Sequence, residues 1–116
     1  MSSTDVYDSM GALVLALGVV IDLHDPDRAT ITYQGRSAVF DYIHDTSRHD
    51  IMIKGDVLNH LIANSTIERY TTYRAWKEDG GGSHRQWNHD REQARQLRYV
   101  LGDDFERVLR QYIWRR

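Results

Sequence analysis

The spacing of hydrophobic positions changes several times along this chain. Val6, Met10, Leu13 and Leu17 repeat at i, i+4, i+7 and i+11, which is helical spacing. Ser3, Thr4 and Asp5 precede them as N-cap candidates, and Gly18 follows as a stop. The run Met10 to Ile21 is uncharged, so this helix is expected to be surrounded by protein. Val19–Leu23 and Ala29–Tyr33 then flank Asp25-Pro26-Asp27. Proline presets φ and aspartate caps the bend, which predicts a hairpin. Gln34-Gly35-Arg36 breaks the pattern, and Ser37 is placed to cap a short helix over 38–44 with Val39, Phe40 and Ile43 inward.

Ser47 followed by Asp50 resembles a capping box. Ile51, Leu58 and Ile62 then share a helical face, which predicts a helix over 47–63. Gly55 falls on the same face and costs about 1 kcal/mol relative to alanine. A strand over 51–53 followed by a helix over 56–63 is the alternative. Residues 66–77 are rich in Thr, Tyr and Trp, which favour strands, and 78–83 form a glycine-rich turn. A returning strand is expected over 84–88. Asp90 with Gln93 opens a helix holding Ala94, Leu97 and Leu101, and Gly102 closes it. Asp103 with Glu106 is a second capping box, leading into the amphipathic stripe Phe105, Val108, Leu109, Tyr112 and Ile113.

The order from residue 35 to 88 is short strand, helix, three-residue turn, longer helix, and hairpin with a glycine-rich tip. That order resembles a winged helix-turn-helix DNA-binding domain. Leu58, Leu61, Ile67, Glu68 and Arg69 stand where that module ends its recognition helix and enters the wing. The expected fold is therefore α+β: one domain over 1–116, with a winged-helix-like core over 35–88. An extra N-terminal helix and hairpin precede that core, and two amphipathic helices over 90–116 follow it. The resemblance implies that helix 47–63 enters the major groove, with Arg48, His49, Lys54 and Asn59 as base or phosphate contacts. Arg74, Lys77, His84 and Arg85 would flank the wing and meet phosphates. The resemblance departs in its extra hairpin and in Gly55 inside the recognition helix.

The 116 residues suffice for one modest core. Cysteine is absent, which removes disulfides and thiolate metal sites and fits a reducing compartment. The uncharged run is too short for a membrane span, which needs roughly 20 apolar residues. Asp5 and Asp8 replace the basic leader of a secretory signal, so the cytoplasm is the expected location. The net charge of −2 conceals an asymmetry: residues 1–60 hold nine acids against four bases, and residues 84–116 hold eight arginines against five acids. Arg91, Arg95 and Arg98 recur at i, i+4 and i+7 and form a possible second basic surface, suited to phosphates or to an acidic protein partner.

Four His-Asp dipeptides stand out: His24-Asp25, His44-Asp45, His49-Asp50 and His89-Asp90. Imidazole with carboxylate can hold a metal or exchange protons. Their spacing matches no metal motif, so no metal, cofactor or catalytic residue is expected. Tyr70, Tyr73, Trp76 and Trp87 cluster about the expected hairpin. The favoured function is a small non-enzymatic DNA-binding regulator acting as a homodimer on double-stranded DNA. A protein-binding adaptor, inhibitor or immunity-type protein is the first alternative, and a small His/Asp-dependent hydrolase or nuclease the second.

Overall fold

Period-two alternation along residues 20–41 builds a three-stranded antiparallel sheet in the computed structural model, which describes residues 10–25, 27–42 and 50–115. Strands β1 (Val20–Asp25), β2 (Arg28–Tyr33) and β3 (Arg36–Asp41) lie side by side in that order. The register places Ile21 opposite Ile31, and Ala29 opposite Phe40. One face thus collects Ile21, Ala29, Ile31, Tyr33 and Phe40, all buried. The other face carries Asp22, Ser37, Val39 and Asp41 to solvent. The first hairpin stands as expected.

The helix expected over 38–44 is a strand as far as Asp41, and Ile43 and His44 lie outside the described residues. The cause is the turn before it. Gln34 (φ 50°) and Gly35 (φ 81°) both adopt left-handed backbone, the requirement of a two-residue hairpin turn whose twist suits its strands. Once Tyr33 pairs with Arg36, pleating sends Ala38 and Phe40 inward and Val39 outward. A helix with Val39 and Phe40 both inward is incompatible with that register.

Helix α1 (Met10–Ala16) ends before Gly18, whose φ is 101°. Val14 is buried, but Leu13 and Leu17 are exposed, so α1 is covered on fewer sides than its composition suggests. The uncharged run is divided between α1 and β1. Among the described residues no helix is long and apolar enough to cross a membrane.

Helix α2 (Asp50–Asn64) is continuous, not a strand followed by a helix. Gly55 is buried in it, where α1 crosses. A Cβ on Gly11 would lie 1.9 Å from the Gly55 carbonyl oxygen and 2.8 Å from the Asn59 nitrogen. Gly11 therefore lets the α1 backbone lie against the α2 backbone at Gly55. Ile53, Val57, Leu58, Leu61 and Ile62 are all buried, making α2 the central helix of the core.

The largest departure falls in 66–88, where both expected wing strands are helical. A 3-10 turn (Ser65–Arg69) leads to α3 (Tyr73–Glu78), and α4 begins at His84 and runs to Leu101. Capping overrides strand propensity here. The Thr72 side chain accepts from Ala75 N at 3.1 Å, and the Ser83 side chain from Gln86 N at 3.2 Å. Gly80 (φ 100°) ends α3, its N–H bonding to the Lys77 carbonyl at 3.2 Å. Tyr73 and Trp76, one helical turn apart, pack with Ile67, Tyr70, Trp87 and Ala94 into a second small core.

Gly102 closes α4 as expected, and α5 (Asp104–Arg115) buries Phe105, Val108 and Leu109, with Tyr112 and Ile113 partly covered. Tyr33 OH donates to Asp104 Oδ2 at 2.6 Å, and Arg36 Nε donates to the Tyr99 carbonyl at 2.8 Å, which ties the sheet to the last two helices.

Candidate functional site

Two surfaces concentrate chemistry, and α4 builds both. The first is the α3–turn–α4 unit. Trp76 and Trp87 lie 5.4 Å apart between ring centroids, and Tyr73 stacks on His84 at 3.6 Å. A Cβ on Gly81 would meet the Trp76 ring at 2.3 Å, so the glycine-rich turn is shaped around this indole. α4 buries Trp87, Asp90, Ala94 and Leu97 on one side. Its opposite side exposes Arg85, Asn88, Arg91, Glu92 and Arg95. Helical spacing aligns these residues on one outward face.

The structure divides the sequence-derived site residues. Arg48 and His49 lie outside the described residues. Lys54 and Asn59 are half-buried on α2 beside the α1 crossing, away from α4's outward face. Arg74 and Lys77 are exposed on α3, and Arg85 is exposed on the first turn of α4, so all three are carried by helices in place of a wing. Lys77 Nζ lies 5.8 Å from the Tyr73 ring centroid. The arginine row is unequal. Arg91 sits 4.9 Å over the Trp87 ring, and Arg95 pairs with Glu92 at 2.6 Å. Arg98 is held by Glu68 and Glu106, lies 4.5 Å over Phe105, and has its pKa raised chiefly by the hydrogen bond to Glu68. Arg98 therefore joins α4 to its neighbours and drops out of the free basic face.

The second surface is a cleft of about 570 Å³ between α2, the end of β3 and the inner side of α4. Asp27 comes from the turn before β2, Asp41 and Tyr42 from the end of β3, His60 and Asn64 from α2, and Gln86, His89, Asp90 and Gln93 from α4. Asp90 accepts from Gln86 Nε2 at 2.8 Å, and His89 Nδ1 lies 3.2 Å from the same oxygen. Asn64 Nδ2 lies 3.0 Å from His60 Nε2, and Tyr42 meets the His60 ring edge-on at 4.8 Å. Desolvation pushes the His60 pKa below its ordinary value, partly offset by the Asp90 charge. An amide nitrogen can only donate, so the Asn64 contact also suits a neutral ring with Nε2 as acceptor.

Of the His-Asp dipeptides, His89-Asp90 enters this cleft, whereas His24 Nε2 lies 2.5 Å from Thr30 Oγ1 on the sheet. Among the described residues no three His, Asp or Glu side chains are grouped to hold a metal ion. Sequence reasoning missed His60, Asp41 and Tyr42. The available signal was polar spacing: His60 with Asn64, Gln86 with Asp90 and His89 with Gln93 are each four apart, one face of a helix.

No family profile matches the chain, and no curated protein or solved structure matches it.

Proposed function

We propose that this chain is a non-enzymatic, cytoplasmic DNA-binding regulator, and that its duplex-facing element is the α3–turn–α4 unit rather than α2. The observation that carries the reading is the outward face of α4. It offers Arg85, Asn88 and Arg91 on a helix braced from behind by Trp87 and Trp76. Arginine and asparagine are the side chains that read guanine and adenine in the major groove. Arg74 and Lys77 of α3 would then supply the backbone contacts that the first helix of a helix-turn-helix makes. This reading moves the helix-turn-helix from the expected helices 38–44 and 47–63 to α3 and α4, because 36–41 is a strand and the expected wing is helical. A homodimer belongs to this proposal, joined through α1 and α5.

The test is duplex binding by fluorescence anisotropy at about 100 mM salt, with wild type and an Arg74→Ala, Arg85→Ala double variant. Both positions are exposed, so the fold should survive. The double variant is expected to bind more weakly and to lose about 0.9 in salt slope for each phosphate contact removed. Wild-type binding no tighter than about 10⁻⁴ M would sink the proposal.

The second reading is a protein-binding adaptor. The outer face of the sheet favours it, because Val20 and Val39 are exposed there among Asp22, Thr30 and Thr32. The two remaining arginines of the α4 row would then serve an acidic partner, and charge reversal at Arg91 would weaken that complex without any effect on DNA.

A further inference from the structure

The sheet keeps one edge open. β3 lies against α4, to which Arg36 bonds, whereas β1 pairs only with β2 among the described residues. The hairpin turn fixes which main-chain groups of β1 face outward. Tyr33 and Arg36 close a two-residue turn, so they exchange hydrogen bonds with each other. Tyr42 N donates to the Asp27 carbonyl at 2.9 Å, in the same alternation. Thr30 and Thr32 therefore turn their N–H and C=O groups toward β1, where they pair with Asp22 and Val20. Ile21 and Leu23, the alternate residues of β1, turn theirs away from the sheet, and these groups meet no partner among the described residues. The side chain of Leu23 is half-buried at the margin of the core. Asp22 is exposed on the outer face and has no ion-pair partner among the described residues.

We propose that the open edge of β1 takes an extended peptide of a partner protein as a fourth, antiparallel strand, with a lysine or arginine beside Asp22 and apolar residues beside Ile21 and Leu23. Main-chain bonds to Ile21 and Leu23 hold such a strand, and its alternate side chains decide which sequence fits. On the outer face it extends the row Asp22, Thr30 and Val39 by one residue. A basic side chain there gains an opposite-charge pair with Asp22, and an acidic one is repelled. A second copy of this chain is the poorer occupant. The register that pairs Ile21 with Leu23 of another β1 sets Asp22 against Asp22, and like charges directly opposite are destabilising. A register centred on Ile21 sets Asp22 against Val20. One centred on Leu23 runs into the bulge between Leu23 and Asp25 on both strands. A bulge and a charge also guard an edge against unselective pairing, which leaves selection to Asp22. The proposal does not rest on DNA binding, because β2 and β3 stand between this edge and α4.

The experiment is an NMR titration of the full chain with the end-blocked peptide Thr-Val-Lys-Val-Thr. One control replaces its lysine by glutamate. The other methylates the amide nitrogens of both valines, the donors that would meet Ile21 and Leu23. The expected result is saturable shifts and slowed exchange at the Ile21 and Leu23 amides with the lysine peptide. The glutamate peptide should bind about fivefold more weakly, the scale of one cross-strand charge pair, and the methylated peptide not at all. Asp22→Asn should bring the lysine and glutamate peptides to equal affinity, and the fold should survive because Asp22 is exposed. Ile21 and Leu23 amides unmoved by the lysine peptide would overturn the proposal, as would equal binding of the methylated peptide or a charge preference retained in the Asp22 variant. An edge already filled by a second copy, with both amides protected from exchange in a peptide-free dimer, would overturn it too.

Discussion

At position 11 a hydrogen atom in place of a methyl group sets how closely α1 can lie on α2. The atom that a Gly11 Cβ would strike is a backbone carbonyl, 1.9 Å away, and it cannot swing aside as a side chain does. Gly11→Ala should therefore separate the helices and cost about 1–3 kcal/mol, the usual range for overpacking. Gly82 is the matched control, because a Cβ there would sit 3.8 Å from Gln86 Cβ in ordinary contact. Urea unfolding of the two variants checks the difference, and equal midpoints would contradict the close crossing. His60 supplies a pH effect of defined sign. Its ordinary pKa of 6.5 holds in the unfolded chain, and desolvation lowers it in the fold. Below pH 6.5 the unfolded state then binds more protons, so stability falls with pH until the folded-state pKa is passed. His60→Gln should remove that part of the slope. An unchanged difference between unfolding midpoints at about pH 7 and about pH 5 would exclude it.

At the scale of elements, the sequence was legible where pattern and cap agreed. The first hairpin, the stop at Gly102 and the stripe of α5 all followed from periodicity joined to a turn or end signal. Elements failed where propensity stood alone. Residues 66–77 carry strand-favouring side chains, yet Tyr73 and Trp76 are one helical turn apart and Thr72 caps them. That local arrangement packs both rings, half-buried, against Trp87, contacts across loop and helix that only the fold reveals. The same misreading hid the cleft. With α4 started at Asp90, Gln86 and Asp90 fell on different elements; with its true start at His84 they are neighbours. Ser83 is the residue that fixes that start, by accepting the Gln86 N–H at 3.2 Å. Ser83→Ala should cost about 1 kcal/mol and fray the first turn, seen as faster amide exchange at residues 84–87. A returning strand over 84–88 would leave those amides unaffected by the loss of a cap.

For the whole molecule, the charge asymmetry is smaller in the fold than in the sequence. Arg95, Arg98 and Arg107 are paired with Glu92, with Glu68 and Glu106, and with Asp104. One copy therefore offers a duplex few cations beyond Arg74, Lys77, Arg85 and Arg91, and a net charge of −2 opposes any diffuse attraction. Two copies would double the contacts, and the opposite end of the molecule is suited to join them. Trp114 is 88% exposed on α5. It continues the face of Arg107 and Gln111, which borders an apolar groove lined by Leu13 and Leu17 of α1. Hydrophobic residues on adjacent helices, away from the basic unit, are what a two-fold contact through α1 and α5 requires. Trp114→Ser should therefore yield a monomer by sedimentation while leaving the thermal transition of the domain intact, since the indole is outside the core. Duplex binding by that monomer should show about half the salt slope of the wild type, because each copy neutralises its own phosphates. A wild type that sediments as a monomer at concentrations where it binds DNA would remove the dimer from the proposal. Its full salt slope would then have to come from the four cations of a single α3–turn–α4 unit.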